Sequence, residues 1–408
     1  MDDSQRDERV AKLLGSEHIR YQNINLGGGE TTGGHTRTSM DDILFASDLK
    51  GLKLLDIGSA LGHFCLEALK HVASGATGLE TSPERVRHAR EIADIVDPRA
   101  EYISADFEQW SAPDKSYDVV LCLNVLHHLY DAVAALRKIM AISAKRFYLE
   151  VAPVSVRDVV KMGNPLALFG ASGLPVILLG PTANSTRAAD RTFTFSKKAI
   201  ATIVNGHSKA YEPVIFHNSS FKGRWIVEAR RRDIGHLVVV SGPTAVGKSS
   251  FIRALRSDAA LRKKFGIADS FTQVGANRLD GLARGRHDTL VFHYDMLRPF
   301  DRPLQSHGRD PAFHLLDSAE KITFITLAAS GDELRKRLRS EAARPAGRKG
   351  RKRHALLQKQ YENPAFLSAW YDAWATVTAP YKGKSYLVRA AEGYPAVKAT
   401  GLPELFKA

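Results

Sequence analysis

Residues 52–62 read LKLLDIGSALG, and HFCLEALKHV follows at 63–72. A short apolar run that closes on Asp56 and Ile57 meets a turn bearing Gly58 and Gly62, and an amphipathic helical pattern begins at once. Strand, tight turn and helix in that order open a nucleotide-binding α/β unit, in which glycines let the backbone approach a ligand. Working outward, residues 76–79 predict a second strand that ends at Glu80, 22 residues beyond Gly58. Such folds place a carboxylate at about that distance to bind ribose hydroxyls. Residues 101–104 predict a third strand leading into Ala105, Asp106 and Phe107. Residues 117–123 predict a fourth, ending at Asn124 and running into VLHHL, and 146–151 a fifth, after a helix over 132–141.

Taken in order, DIGSALGHF, GLETSPERVRHAR, ISADFEQW and SYDVVLCLNVLHHL resemble the successive motifs of class I S-adenosylmethionine-dependent methyltransferases. The resemblance covers about 100 residues and implies a Rossmann-like seven-stranded sheet that ends in a β-hairpin, here expected from 212–217, the turn 218–223, and 224–229. It implies that Asp56, Gly58 and Gly62 cradle the methionine part of the cofactor and that Glu80 binds its ribose. Asp106 with Phe107 would hold the adenine, and Asn124 would face the sulfonium. Ala60 stands where the family often has glycine. His127 and His128 follow Asn124 near the expected methyl acceptor. His128 is the candidate general base, because imidazole titrates near neutral pH; ordinary packing is the alternative for both rings. Upstream, GGGETTGGHTRT at 27–38 predicts an ordered lid over about 20–40. It resembles the lead-in of a subgroup that includes tRNA wobble-uridine-modifying enzymes, with His35 and Arg37 either as acceptor contacts or as solvated loop residues. The insert 152–191 is expected to form an acceptor cap, in which Arg187 and Arg191 either meet an anionic acceptor or are ordinary surface residues.

A second signal lies at 241–250, SGPTAVGKSS, after a strand expected at 236–240 and before a helix from Phe251. This fits G-x-x-x-x-G-K-[ST] in its strand–loop–helix setting. Gly242, Thr244, Ala245, Val246, Gly247, Lys248, Ser249 and Ser250 would bind ATP, with Lys248 on the β/γ-phosphates and Ser249 on Mg²⁺. Asp295, beyond a strand at 289–293, would hold the magnesium shell or accept a hydroxyl proton, unless it is a helix N-cap. A strand at 322–327 and a helix at 331–339 complete a layout that resembles P-loop kinases of the nucleoside-monophosphate and guanylate kinase type. Arg337, Arg339 and Arg344 would be its lid. The basic run 348–353 reads as a flexible phosphate-clamping lid, a nucleic-acid tether or a solvated loop. No guanine-reading NKxD motif is present, which favours ATP.

The 408 residues suggest two or three domains at roughly 100–200 residues each. With 44% hydrophobic and 25% charged residues, the composition excludes disorder, collagen and a disulfide scaffold. Two cysteines, Cys65 and Cys122, fit a reducing compartment and leave no cysteine-based metal site. The opening MDDSQRDERV is too polar for a signal peptide, and the apolar run 165–181 is broken by glycine, serine and proline. A cytoplasmic protein with no membrane span is expected. Of the net charge of +14, residues 233–408 supply +12, with 29 Lys and Arg against 17 Asp and Glu. A basic half implies an anionic ligand.

The expected fold is thus α/β with two doubly wound domains: a methyltransferase sheet over 1–232 and a parallel P-loop kinase sheet over 233–408. The expected function is a bifunctional methyltransferase–kinase that uses S-adenosylmethionine, ATP and Mg²⁺ on a shared or related acceptor. A glycan or small metabolite, anionic or phosphorylated, suits it. The alternative is an RNA-modifying methyltransferase with an ATP-using module, although no aromatics interleave the basic run. A third reading makes the ATP-binding half a switch without catalysis.

Overall fold

Lys53–Ile57, hereafter β1, is buried at every residue but the first, as expected of a central strand covered on both faces. In the computed structural model, residues 3–16, 19–37, 40–151, 173–181, 191–221, 223–296, 310–342, 348–391, 394 and 396–398 are described. The chain divides into two compact units. One comprises Met1–His207 and Tyr211–Arg231, the other Ser208–Ala210 and Arg232–Ala408.

In the first unit β1 is followed by β2 (Gly75–Glu80), β3 (Ala100–Ser104), β4 (Tyr117–Leu123), β5 (Ser143–Val151), β6 (Ile215–Asn218) and β7 (Trp225–Arg230). They form one seven-stranded sheet in the order β6-β7-β5-β4-β1-β2-β3. The strands from β1 to β5 pair in parallel, and β6 and β7 form an antiparallel hairpin beside β5. This is the Rossmann-like methyltransferase arrangement. Tyr211 already bridges Arg231 and Glu212 N donates to Arg230 O at 2.9 Å, but Pro213 has no N–H to give, and the continuous ladder resumes at Ile215. Strand order reverses beside β1, so the carboxyl ends of β1 and β4 flank the crevice where such sheets bind ligands. Helices α1 (His63–Lys70), α2 (Pro83–Val96), α3 (Ala132–Ile142) and α4 (Lys197–His207) supply the connections.

Two glycines make the first turn possible. Gly58 has φ 75°, and a Cβ there would lie 2.3 Å from Val125 Cγ2. Gly62, with φ 90°, precedes α1, and its Cβ would lie 2.0 Å from Tyr102 Oη. Any larger residue would be both strained and crowded. Cys65 and Cys122 are free thiols buried in this unit.

The second unit runs β8 (Asp233–Ser241), α5 (Lys248–Ser257), α6 (Ala259–Phe265), β9 (Thr272–Gly275), β10 (Arg286–His293) and β11 (Ala319–Ala328). It continues with α7 (Gly331–Ala342), α8 (Arg348–Tyr361), α9 (Pro364–Thr378), β12 (Lys384–Arg389) and β13 (Ala396–Lys398). Its sheet has the order β9-β10-β8-β11-β12-β13, parallel except for the edge strand β13. Its core is aromatic: Trp374 stacks on Trp370 and Tyr294, and Phe251 meets Phe265 edge-on. The basic run at 348–353 is not a flexible loop, because it opens helix α8. Arg, Lys, Leu and Gln are good helix formers, and Gly350 near the helix start costs only about 1 kcal/mol. Among the described residues no helix is long and apolar enough to cross a membrane.

Candidate functional site

A cavity of about 510 Å³ opens at the carboxyl ends of β1, β2 and β4. Asp56, Gly58, Glu80, Asp106, Phe107, Asn124 and His128 all line it. Gly62 instead sets the start of α1. Asp56 is buried, and its Oδ2 has no partner among the described residues. Burial pushes its carboxyl up to about 8; Arg37 opposes the shift and Glu80 adds to it. Glu80 is tied to the backbone: Oε2 accepts from Ala60 N at 3.1 Å and Oε1 from Ser82 N at 3.0 Å. Asp106 accepts from Glu108 N at 2.9 Å, which fixes the turn that carries Phe107. Asn124 has φ 64°, a left-handed conformation that asparagine tolerates well, and its buried Oδ1 also lacks a described partner.

The lead-in segment folds onto this turn. Asn23 N donates to His35 O at 3.0 Å, Thr32 N donates to Ile24 O at 3.1 Å, and the Thr32 hydroxyl bonds the Gln22 carbonyl. Buried Gln22 then accepts from Leu61 N at 2.9 Å and His63 N at 3.4 Å. Arg37 reaches Glu150 at 2.9 Å and lies over the rings of Phe221 and Phe64, at 4.6 and 5.6 Å. The Ser219 hydroxyl also bonds Glu150. Arg37 is therefore a charge-matched wall residue; His35 lines the cavity beside it. The structure separates the two histidines after Asn124. His127 is buried, with burial and the neighbouring His128 and Arg224 pushing it down to about 3. His128 faces the cavity and is shifted down by burial first and Arg224 second, so it is neutral at pH 7. The insert expected to cap the acceptor, including Arg187, lies mostly outside the described residues. Its end forms a two-stranded ribbon, Ile177–Pro181 with Arg191–Phe195.

In the second unit, Gly247 precedes α5 with φ 101° and Ala245 has φ 67°. Lys248 is buried, and its Nζ donates to Gly242 O at 2.8 Å and Pro243 O at 2.9 Å and pairs with Asp295 at 2.7 Å. Tyr361 Oη holds Thr244 O at 2.8 Å, and Arg337 holds Val246 O at 2.6 Å. Ser249 and Ser250 are exposed at the start of α5. Asp295 is the counter-ion of Lys248, and the residues that a helix N-cap at this position would need lie outside the described residues. Of the three lid arginines, Arg337 is fixed to backbone carbonyls. Arg339, about 200° further round α7, is exposed, and Arg344 lies outside the described residues. Among the described residues no cluster of three or more His, Cys, Asp or Glu side chains could hold a metal.

Residues 54–145 match the family model described as a methyltransferase domain. The first unit carries a class I S-adenosylmethionine-dependent methyltransferase domain. Over 142 residues the chain is 26% identical to ajmaline N-methyltransferase from Rauvolfia serpentina, covering 32% of this chain and 49% of that protein. Over 90 residues it is 32% identical to ubiquinone biosynthesis O-methyltransferase from Azorhizobium caulinodans, covering 22% and 35%. The chain thus spans about half or less of the curated relatives it matches. Among solved structures it is similar to magnesium protoporphyrin IX methyltransferase from Synechocystis PCC 6803 with bound S-adenosylhomocysteine. The identity is 20%, coverage is 56% of this chain and 95% of that chain, and the TM-score is 0.36.

Around the methyltransferase domain's cavity, sequence reasoning assigned no role to Gln22, Glu150, Phe221 or Arg224. Gln22 and Glu150 are polar and buried, and each is matched to a partner 39 or more residues away, so no local pattern marks them. Phe221 and Arg224 sit in the hairpin turn between β6 and β7, a segment whose location on the cavity follows only from the fold.

Proposed function

We propose that the first unit transfers a methyl group from S-adenosylmethionine to a hydroxyl or amine of a small acceptor. One observation carries this: three acids from three strand ends, Asp56, Glu80 and Asp106, line a single cavity with Phe107 and Asn124. The residues fit the cofactor. Buried Asp56 Oδ2 and Asn124 Oδ1 lack described protein partners, and a cationic, hydroxyl-rich ligand supplies donors for both. When bound, the cofactor supplies a methyl group made electrophilic by its sulfonium. Asp56 would hold the cationic amino group, Glu80 the ribose hydroxyls and Phe107 the adenine face. Neutral His128 would accept the proton that the acceptor's O–H or N–H loses as its bond to the methyl carbon forms. Replacing Glu80 by Ala removes two charge-assisted hydrogen bonds of about 1.5–3 kcal/mol each, so S-adenosylhomocysteine affinity should fall at least tenfold in calorimetry. Because Glu80 also braces Ala60, melting curves must show the variant folded. Unchanged affinity in a folded variant would sink the assignment.

A second reading, ATP-dependent phosphoryl transfer at residues 242–249, is favoured by the peptide planes of that turn. In a trans peptide the C=O and the following N–H point opposite ways. The carbonyls of Pro243, Thr244 and Val246 are held by Lys248, Tyr361 and Arg337. The N–H groups of Thr244, Ala245 and Gly247 are thereby aimed away from these holders, and none has a protein acceptor among the described residues. Together with Lys248 they form a donor set that fits nucleotide phosphates. Ser249 and Asp295 offer one hydroxyl and one carboxylate, which suits Mg²⁺ shared with phosphate oxygens and water. We take the two reactions to act on one acceptor or on related acceptors.

A further inference from the structure

We propose that the methyl acceptor carries an anionic group, a carboxylate or phosphate, seated on Arg224 beside His128. The inference rests on the methyltransferase reading of this cavity and adds the class of its acceptor. Three arginines line the cavity, and the other two have acids nearby: Arg37 pairs with Glu150 at 2.9 Å, and Arg85 lies 3.9 Å from Glu80. Arg224 is half-buried in the hairpin turn, stacked over Phe221 at 5.5 Å, with no carboxylate partner among the described residues. A cation drawn partly out of water without a counter-ion is costly, and a ligand anion removes that cost. Its charge also reaches the proton-accepting end of the cavity, since it opposes protonation of both His127 and His128. An anion on Arg224 would offset that field and restore basicity to His128 as the acceptor seats. Guanidinium suits either anion, because its planar fork takes two oxygens at once.

The cofactor has a carboxylate of its own, so the test must separate the two anions. The protein saturated with S-adenosylhomocysteine is titrated with benzoate, phenyl phosphate and neutral benzamide in a calorimeter. Benzoate or phenyl phosphate, or both, should bind at least tenfold more tightly than benzamide; which one does so tells carboxylate from phosphate. Arg224→Gln should erase the preference with S-adenosylhomocysteine affinity unchanged, and Arg224→Lys should keep part of it. Arg224→Met, with an unbranched stem for Phe221, replaces the Gln variant should that fail to fold. The proposal is overturned by equal binding of all three probes, by a preference that survives Arg224→Gln, or by a tenfold loss of S-adenosylhomocysteine affinity in that variant. That last result would give Arg224 to the cofactor's carboxylate. A wild-type protein that does not bind S-adenosylhomocysteine would refute the methyltransferase reading instead. The same probes on the protein alone would then still read the role of Arg224.

Discussion

Asp56 should release a proton when the cofactor binds, and Asp56→Asn should abolish that release. Burial is the dominant cause of its high value, about 8, and Glu80 adds to it. At pH 7 about 0.9 of the population is therefore protonated. A ligand that sets its ammonium against Asp56 needs the ionised form. At pH 7 that requirement costs about 1.4 kcal/mol, a tenfold loss of affinity that vanishes by pH 9. The dissociation constant for S-adenosylhomocysteine should thus fall about tenfold more between pH 7 and 9 in the wild type than in Asp56→Asn. The ligand's own amino group titrates alike in both proteins and cancels. Calorimetry at pH 7 in two buffers of different ionisation enthalpy should count about 0.9 more protons released by the wild type. Linkage also fixes the sign for folding. A folded value raised above the unfolded one adds stability that is complete below about pH 4 and is lost as pH rises through about 8. Asp56→Asn should therefore gain stability over the wild type across that window. Equal proton counts in the two proteins, or parallel affinity profiles, would refute the placement of the ammonium on Asp56.

Gly62→Ala would put a methyl group 2.0 Å from Tyr102 Oη at φ 90°. Left-handed strain and overpacking together predict a loss of about 2–5 kcal/mol, read as a lower denaturant midpoint of the first unit; a midpoint equal to the wild type's would contradict the turn geometry. Lys248→Ala removes the ammonium that holds Gly242 O, Pro243 O and Asp295. ATP turnover should drop by several orders of magnitude while S-adenosylhomocysteine affinity is kept; retained turnover would end the phosphoryl-transfer reading. If the phosphorylated product is the methyl acceptor, this variant should methylate only pre-phosphorylated substrate.

What the sequence disclosed and what it hid divide along a physical line. Asp56, Glu80 and Asp106 stand at the ends of apolar runs, and the alternation of strand and helix brings such ends to one edge of a parallel sheet. That much is local pattern plus a handedness rule. The partners that shape the rest of the cavity are not local. Arg37 and Glu150 lie 113 residues apart, and neither sits in a pattern that predicts its mate. Gln22 lies just ahead of the glycine-rich stretch 27–38, whose pattern announces an ordered lid but no partner for it, yet its side chain caps two peptide groups of the first turn. The run at 348–353 misleads for the opposite reason. Its charges mark it as solvated, but Arg and Lys are also sound helix formers, and helix α8 begins there.

The two glycine turns show that backbone shape alone does not choose a ligand. Ala60 and Gly62 have φ 51° and 90°, and Ala245 and Gly247 have φ 67° and 101°. The residues between them, Leu61 and Val246, are both fully buried, and each turn hands over to a helix. The difference lies in which half of the peptide groups the protein itself satisfies. In the first turn Glu80 takes the N–H of Ala60, and Gln22 takes those of Leu61 and His63. Three donors that would otherwise attract phosphate are consumed, and the buried Asp56 at the strand end, with Oδ2 unpartnered among the described residues, wants a donor from a ligand. In the second turn Lys248, Tyr361 and Arg337 consume carbonyls, and the remaining donors want an anion. A glycine-rich strand–turn–helix is therefore a neutral scaffold. The sign of the side chains that brace it decides whether it turns acids or N–H groups toward the ligand.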